Sequence, residues 1–547
     1  MDTKKLGSKL LYFTLSSLHR RVLTSRVVFA KTPILRVRTL STFVSSTIPR
    51  SCINLTKLKT GVFVANAEGS LVLATYGRIS SEFNDLKNAS WLVTSYVLAV
   101  SAVQPIYGKL SDIFGRAHML LVAYALFALG CAVGRSLQVV VLGRIISGAG
   151  GAGMGSLVSI IITDLVPQRE VGSWRSYVNI VATTGRSLGG PIGGYLADTV
   201  GWRWSFLGQC PPTVLGMLLV WTMVPNTAFS KSAGSQNIKE RLSRVDFMGA
   251  LILVGTITTF LFPMELGGIA IPWTHPIIFT LLACFIVLSA LFVVVETRVA
   301  KEPILSLSLL ASWNVLLPNI VMFCQSAAQL GMMFTVPIFF EVMQDASAVL
   351  AGAHLFPAVV AVAVAGLLGG YVAKRTGRFK KLLMLATMSS SVSYLLLALR
   401  WNEDTTFWES LFVVPGGFGN GLVQSAAFVA LTARIESDDM AMACSSFYMS
   451  ANTGTVVGLA STNAVLQGTL RRGLEKRLVD YPDSTGIIDQ ALTNIEYIKE
   501  LRDPVRRIVL DAYSQAFKYA HRFFAVSNLA FSIAAFLSGL LVREHKI

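Results

Sequence analysis

Two ionisable residues stand inside long apolar runs. Glu68 lies in Gly61-Val-Phe-Val-Ala-Asn-Ala-Glu68-Gly-Ser-Leu-Val-Leu-Ala-Thr75, and Arg144 lies in Leu142-Gly-Arg144-Ile-Ile-Ser-Gly148-Ala-Gly150-Gly-Ala-Gly153. A charged side chain in such a run is costly unless it faces a polar cavity or an opposite charge, so it is by default a functional candidate. Glu68 is the acid whose sign suits Arg144. A carboxyl group that gains and loses a proton there could couple a proton gradient to a change of shape. A structural salt bridge with no further role is the competing reading.

A second constellation is Gly108-Lys-Leu-Ser-Asp112-Ile-Phe-Gly115-Arg116. Gly108 and Gly115 allow close helix approach and a tight turn. Asp112 can pair with Arg116 or face a helix N-terminus elsewhere in the bundle. A charged latch of this kind suits a switch at a membrane face; a stop-transfer loop with incidental charges is the plainer alternative. A third string is Gly185-Arg-Ser-Leu-Gly189-Gly190-Pro191-Ile-Gly193-Gly194. Its glycines and proline would break a soluble helix, but in lipid they make a kinked helix with a flat, close-packing face. Its first five residues also fit the GxSxG elbow of serine hydrolases. That match is discounted, because it lies in an apolar glycine run with no His near it.

Other chemistries lack their residues. There is no GxxxxGK[ST], so ATP is not the expected energy source. The six histidines form no HxxxH or HExxH pattern, and the six cysteines have no metal-ligand spacing. No metal or cofactor is expected, and no enzyme. The cysteines read as small apolar packing residues, and His275 and His354 as hydrogen-bonded residues at span ends.

The elements that must carry these strings are set by composition. The chain has 547 residues, 53% hydrophobic and only 14% charged, with mean hydropathy +0.60. An ordinary soluble domain has about 25% charged residues. A run of about 20 apolar residues crosses a bilayer as a helix. Such runs fall at 60–79, 91–107, 117–134, 137–162, 177–197, 205–224, 246–266, 276–295, 314–340, 349–373, 381–399, 408–433, 441–466 and 519–542. The expectation is an all-α polytopic membrane protein with fourteen spans and both termini on one face.

Lys and Arg in the short connections fix the orientation. With a cytosolic N-terminus, eighteen fall on the cytosolic side, Arg169 and Arg175 among them, against five opposite, leaving out the long last loop. The net charge of +17 is concentrated in residues 1–59, which hold twelve Lys and Arg against Asp2 alone. That segment is expected to be a disordered cytosolic tail drawn to anionic lipid, with a misassigned coding start or a transit peptide as alternatives. No nucleic-acid partner is implied. The stretch 470–516 carries eight basic and eight acidic residues. Its Ile487, Ile488, Ala491, Leu492, Ile495 and Ile498 recur at helical spacing, as in a lumenal helix lying on the membrane face or capping a cavity. Of the sequons Asn54-Leu-Thr56 and Asn88-Ala-Ser90, a cytosolic N-terminus exposes only Asn88 to glycosylation.

These three strings, in this order on spans two to five, resemble the major facilitator superfamily. Gly108 to Arg116 looks like its loop motif, Arg144 with Gly148 like its fourth-span motif, and Gly185 to Gly194 like the antiporter motif of its proton-coupled exporters. Fourteen spans and Gly201-Trp-Arg-Trp-Ser-Phe206 are similar to the fourteen-spanner drug:proton antiporter branch. Within that branch Gly61 to Thr75, Ile79-Ser-Ser-Glu-Phe83 and Trp91-Leu-Val-Thr-Ser-Tyr96 look like fungal vacuolar basic amino acid transporters. Many drug exporters have Asp then Thr in the first span; here Glu68 is followed by Gly69 and Ser70.

The resemblance implies two six-helix bundles, 60–224 and 301–547, around a central cavity, with two extra helices in the linker 225–300. It also implies alternating access driven by protons. The leading expectation is a monomeric antiporter in the vacuolar membrane, exchanging protons for Lys, Arg or His. A plasma-membrane exporter of amphipathic drugs is the alternative on the same fold, and a non-transporting nutrient receptor the alternative of another class.

Overall fold

Every one of the fourteen apolar runs contributes to a long helix. The computed structural model describes residues 59–83, 91–130, 136–223, 238–267, 271–300, 302–344, 348–401, 407–433, 438–479, 484–493 and 501–541, with the single residues 134, 405, 435, 436, 481 and 498. In chain order the long helices are α1 (Lys59–Glu82), α2 (Trp91–Phe114), α3 (Arg116–Gly130), α4 (Leu137–Leu165), α5 (Gln168–Thr199), α6 (Cys210–Met223), α7 (Phe247–Leu266) and α8 (Pro276–Arg298). They continue as α9 (Trp313–Met343), α10 (Phe356–Thr376), α11 (Lys380–Arg400), α12 (Val414–Thr432), α13 (Met440–Arg477) and α14 (Val505–Leu541). Among the described residues there is no strand. Seven of the helical segments are long and apolar enough to cross a membrane by length and composition alone. Helices α1, α2 and α5 fall short because they carry the interior's polar groups, including Glu68, Gln104, Arg175 and Asn179.

Local chemistry sets the breaks between helices. Ser136 caps α4 by accepting from the Val139 amide at 3.4 Å, and Asp246 caps α7 by accepting from Gly249 at 2.8 Å. His275 accepts from Ile277 at the start of α8, at 3.2 Å. His354 stacks on Phe340, with ring centroids 3.7 Å apart. Gly115 (φ 95°) turns α2 into α3, and Gly377 (φ 64°) turns α10 into α11; both need the left-handed region that glycine enters freely. Cys324 and Cys444 are buried in the packing.

The pairing of helices repeats. In the first bundle α1 packs on α5, α2 and α3 on α4, and α6 on α3. In the second, α9 packs on α13, α10 and α11 on α12, and α14 on α11. The bundles meet where α2 crosses α13 and α5 crosses α10. Helices α7 and α8 pair with each other, and α7 lies across the seam on α2 and α13. An apolar cluster joins Leu98, Ile252, Leu261, Met442 and Val456 there. Most of α8 faces outward, as a lipid-facing helix does.

Three sequence expectations change. Lys59, assigned to the tail, begins α1, with its ammonium over the rings of Trp174 (5.0 Å) and Tyr177 (4.8 Å). Residues 1–58 lie outside the described residues. The polar stretch 470–516 is largely a continuation of its neighbours: α13 runs on to Arg477, and α14 begins at Val505 rather than near 519. Between them Ser484–Thr493 is helical, and Ile488, Ala491, Ile498, Val509 and Ala512 are buried together. The charges sit on the outer faces of these helices, so average hydropathy hides their apolar stripes. Finally, Arg175 is not a loop charge. It sits in the second turn of α5 and is buried at the seam.

Candidate functional site

The glycine string on α5 places α1 against it. Gly185, Gly189 and Gly193, four residues apart, face the α1 backbone, and a Cβ on Gly185 would lie 2.5 Å from the Phe63 carbonyl. Gly194 meets nothing within 4 Å and Gly190 only an ordinary contact, while Pro191 sits within the helix. Only every fourth glycine of the motif therefore serves the α1 contact. Close approach brings Glu68 into the bundle interior, where it is 0% exposed.

Arg144, 2% exposed, forms an ion pair with Glu68. Its Nε also donates to the Leu92 carbonyl at 2.9 Å, and its guanidinium lies 4.4 Å from the Tyr96 ring centroid. Gln209, which precedes α6, donates to the other Glu68 oxygen. Three helices and a connecting turn thus satisfy one buried charge pair. Removing one partner of such a pair costs about 3–5 kcal/mol, because the other is left uncompensated.

The loop motif forms a second cluster. Arg116 contacts Asp112 at 2.5 Å, donates to Ser111 at 2.5 Å and to Asp164 at 3.0 Å. Burial holds the Asp112 carboxyl above the usual carboxylate range, against the pull of Arg116. Asp164, at the end of α4, is a partner that sequence spacing did not reveal. All of these contacts lie within the first bundle. Lys109 of the same motif reaches Glu302, at 2.9 Å, and Arg244 reaches the same carboxylate at 2.7 Å.

Other residues cross between the bundles. Lys374 pairs with Glu170 at 2.7 Å, Gln168 donates to the Thr432 carbonyl at 2.9 Å, and Ser176 meets Ser425 at 2.9 Å. Arg175 donates to Ser159 at 2.9 Å and to the Tyr448 hydroxyl, with its guanidinium over the rings of Tyr448 and Phe428. Gly108 lies against Ala441 and Gly370 against Gly172, where a Cβ would meet backbone oxygen at 2.9 and 2.7 Å. These contacts lie in the half of the molecule that carries the loop motif, so the bundles are closed together at that end.

Above this closure lies a cavity of about 320 Å³, walled by α1, α2, α4 and α5 from one bundle and α9, α12 and α13 from the other. Arg175, Asn179 and Arg186 come from one face of α5, and Gln104, Gln329, Asn420 and Asn452 from other walls. Glu68 and Arg144 stand behind this lining rather than in it. Asn88 lies outside the described residues. At the far end, Glu82 accepts from Trp202 at 2.5 Å and pairs with Arg203 at 2.8 Å. This docks the Gly201 to Phe206 segment on α1, and those donors hold the Glu82 carboxyl below the usual range.

Among the described residues, twelve long helices in two matching bundles around a central cavity, with three charged and glycine-rich strings at their crossings, have the architecture of a membrane carrier. Residues 60–459 match the family model of the Major Facilitator Superfamily, and the chain belongs to that family. It is 32% identical over 500 residues to the vacuolar membrane amino acid uptake transporter fnx2 of Schizosaccharomyces pombe, covering 90% of this chain and 84% of the relative. It is 32% identical over 500 residues to the multidrug resistance protein fnx1 of the same yeast, covering 90% and 92%. It is 28% identical over 462 residues to the vacuolar basic amino acid transporter 2 of Saccharomyces cerevisiae, covering 82% and 96%. The protein is a major facilitator transporter of the membrane, taking a small-molecule substrate, and not an enzyme.

Proposed function

We propose that this transporter is a proton-coupled antiporter that moves Lys, Arg and His from the cytosol into the vacuole, with both termini cytosolic. The observation that carries the coupling is the buried Glu68–Arg144 pair on α1 and α4, behind the cavity wall. Protonating Glu68 cancels its attraction for Arg144 and frees a buried cation that the bundle must satisfy in another way. That changes the relative energies of the inward-open and outward-open arrangements, which is what coupling requires. The closed end carries the loop motif, so in this orientation the described state is shut toward the cytosol. The relatives named as vacuolar amino acid transporters support the substrate and the compartment.

The similarity to a multidrug resistance protein favours a second reading, export of amphipathic drugs at the plasma membrane. Uptake of labelled Lys, Arg and a drug panel by vacuolar vesicles, from cells with and without the protein, separates the two. Uncoupler-sensitive uptake of Lys and Arg that depends on the protein is the expected result. Uptake of drugs alone would replace the first reading by the second.

A further inference from the structure

The cavity wall is asymmetric in charge. It includes two arginines, Arg175 and Arg186, both from α5, and no acidic residue among those that line it. Arg175 is committed to Ser159 and Tyr448. Arg186, by contrast, has no hydrogen bond or ion pair among the described residues. It stands seven residues, or two helical turns, from Asn179 and so lies on the same face of α5. The Asn179 side chain is 4% exposed, and its amide nitrogen has no partner among the described residues. Across the cavity, Gln329 of α9 is 9% exposed with an unpartnered amide oxygen. Donors and a permanent positive charge therefore line one side and a spare acceptor lines the other.

We propose that Arg186, with Asn179, is the anchor for a substrate carboxylate, so that the cavity selects α-amino acids over cations that lack one. The guanidinium presents paired N–H donors that match a carboxylate, a stronger interaction than neutral hydrogen bonds. The substrate's ammonium is then directed toward Gln329 and the neutral oxygens of the second bundle. An arginine that lines the cavity without an anionic partner among the described residues repels a bare cation of either a drug or a polyamine. The same charge accepts Lys, Arg or His because their carboxylate meets it first. This rests on the amino-acid reading above and narrows it to a requirement for the carboxylate.

The test uses the full-length protein in lipid nanodiscs, with ligand-induced thermal stabilisation as readout. The probes are L-lysine, cadaverine (lysine without its carboxylate), L-leucine and ethidium. Lysine is expected to bind at least about tenfold more tightly than cadaverine, the scale of a charge-assisted pair. Arg186→Gln should remove that difference, and Arg186→Lys should restore part of it. Equal binding of lysine and cadaverine by the unaltered protein overturns the anchor and leaves the amino-acid reading standing. Binding of leucine but not lysine, lost in Arg186→Gln, supports the anchor and removes the preference for basic side chains. Stabilisation by ethidium alone, or by none of the probes at millimolar concentration, overturns the anchor. Discrimination that persists in Arg186→Gln overturns it as well. If Arg186→Gln does not fold, the lysine and cadaverine comparison on the unaltered protein and Arg186→Lys decides the matter.

Discussion

In the first bundle Gly185 and Gly189 of α5 rest on α1 at Phe63 and Ala67; in the second, Gly454 and Gly458 of α13 rest on α9 at Phe323 and Ala327. Glu68, which follows Ala67, therefore corresponds to Ala328. Gly148 lies against the Tyr96 carbonyl and Gly417 against that of Ala358, which makes Arg144 the counterpart of the buried Val413. Arg186 corresponds to Thr455 by the same spacing along α5 and α13. The loop motif has an echo too. Gly108, Gly115 and Arg116 match Gly370, Gly377 and Arg378 in spacing, in the left-handed glycine and in the crossing that the first glycine makes. The frame is shared, while among the described residues of the two bundles the buried Arg and Glu side chains all lie in the first. On the function proposed above, coupling and anchoring fall to the first bundle, and the second serves as a neutral wall.

The strongest challenge to that division is to make the first half resemble the second. Arg144→Ala should strand the Glu68 carboxylate and lower stability by about 3–5 kcal/mol. Replacing both, as Glu68→Ala with Arg144→Val, should cost less than the two single changes summed. Thermal unfolding with vesicle uptake checks this, and proton-driven uptake by the double variant would reduce the pair to a structural salt bridge.

A smaller effect is expected at the crossings, and it should be alike in both halves. Gly370→Ala meets the backbone oxygen of Gly172, and Gly108→Ala meets the Ser445 hydroxyl and the backbone oxygen of Ala441. Overpacking by about 1–3 kcal/mol disfavours the closed arrangement. Cys444, buried on α13 beside the first crossing, should then react roughly tenfold faster with a maleimide. Unchanged labelling in both variants would mean that the crossings do not govern closure.

The charges at the closed end should differ between halves. Asp112→Ala deprives the buried Arg116 of a partner and should cost about 1.5–3 kcal/mol, with slower transport and little change in substrate affinity. Lys374→Ala removes a pair whose side chains are 48% and 38% exposed, worth under about 1 kcal/mol. Transport rates at matched expression read the contrast, and equal rates would remove it.

The smallest effect concerns Glu82. Its carboxyl is held low by Trp202 and Arg203. Its contribution is therefore complete above the ordinary carboxylate range, about pH 4.3, and is lost only as pH falls through the lowered value. The stability difference between the parent and Glu82→Gln should stay constant from about pH 7 to pH 5 and close below about pH 4. A difference that already shrinks near pH 6 would place Glu82 among the groups that sense an acidic lumen.

Much of the frame was readable from apolar run length, and the three strings drew attention by residue type alone. Glu68 and Arg144 could be matched by sign, but 76 positions separate them, and only the packing of α1 and α4 brings them together. Asp164 and Gln209 gave no signal because a single polar residue near a span end is common. Arg175 was assigned to a connection because α5 begins at Gln168, earlier than its apolar run suggests. The last loop misled for a related reason: α13 and α14 outrun the apolar text, and their outer charges mask the buried side. The Gly370, Gly377 and Arg378 spacing was open to view, and a search for internal repeats would have found it.

The crossings carry one further consequence. At Gly370 the bundles touch through glycine lying on the Gly172 backbone, and at Gly108 through glycine lying on the Ala441 carbonyl and the small Ser445 side chain. Interlocked side chains have to change rotamer before two helices separate; smooth surfaces only have to slide. If the bundles rock as the proposed function requires, the polar ties across the seam carry the resistance, among them Lys374 to Glu170, Gln168 to Thr432, Ser176 to Ser425, Asn452 to Gln104 and Arg175 to Tyr448. Turnover speed can then be adjusted one tie at a time, with the two gliding surfaces left as they are.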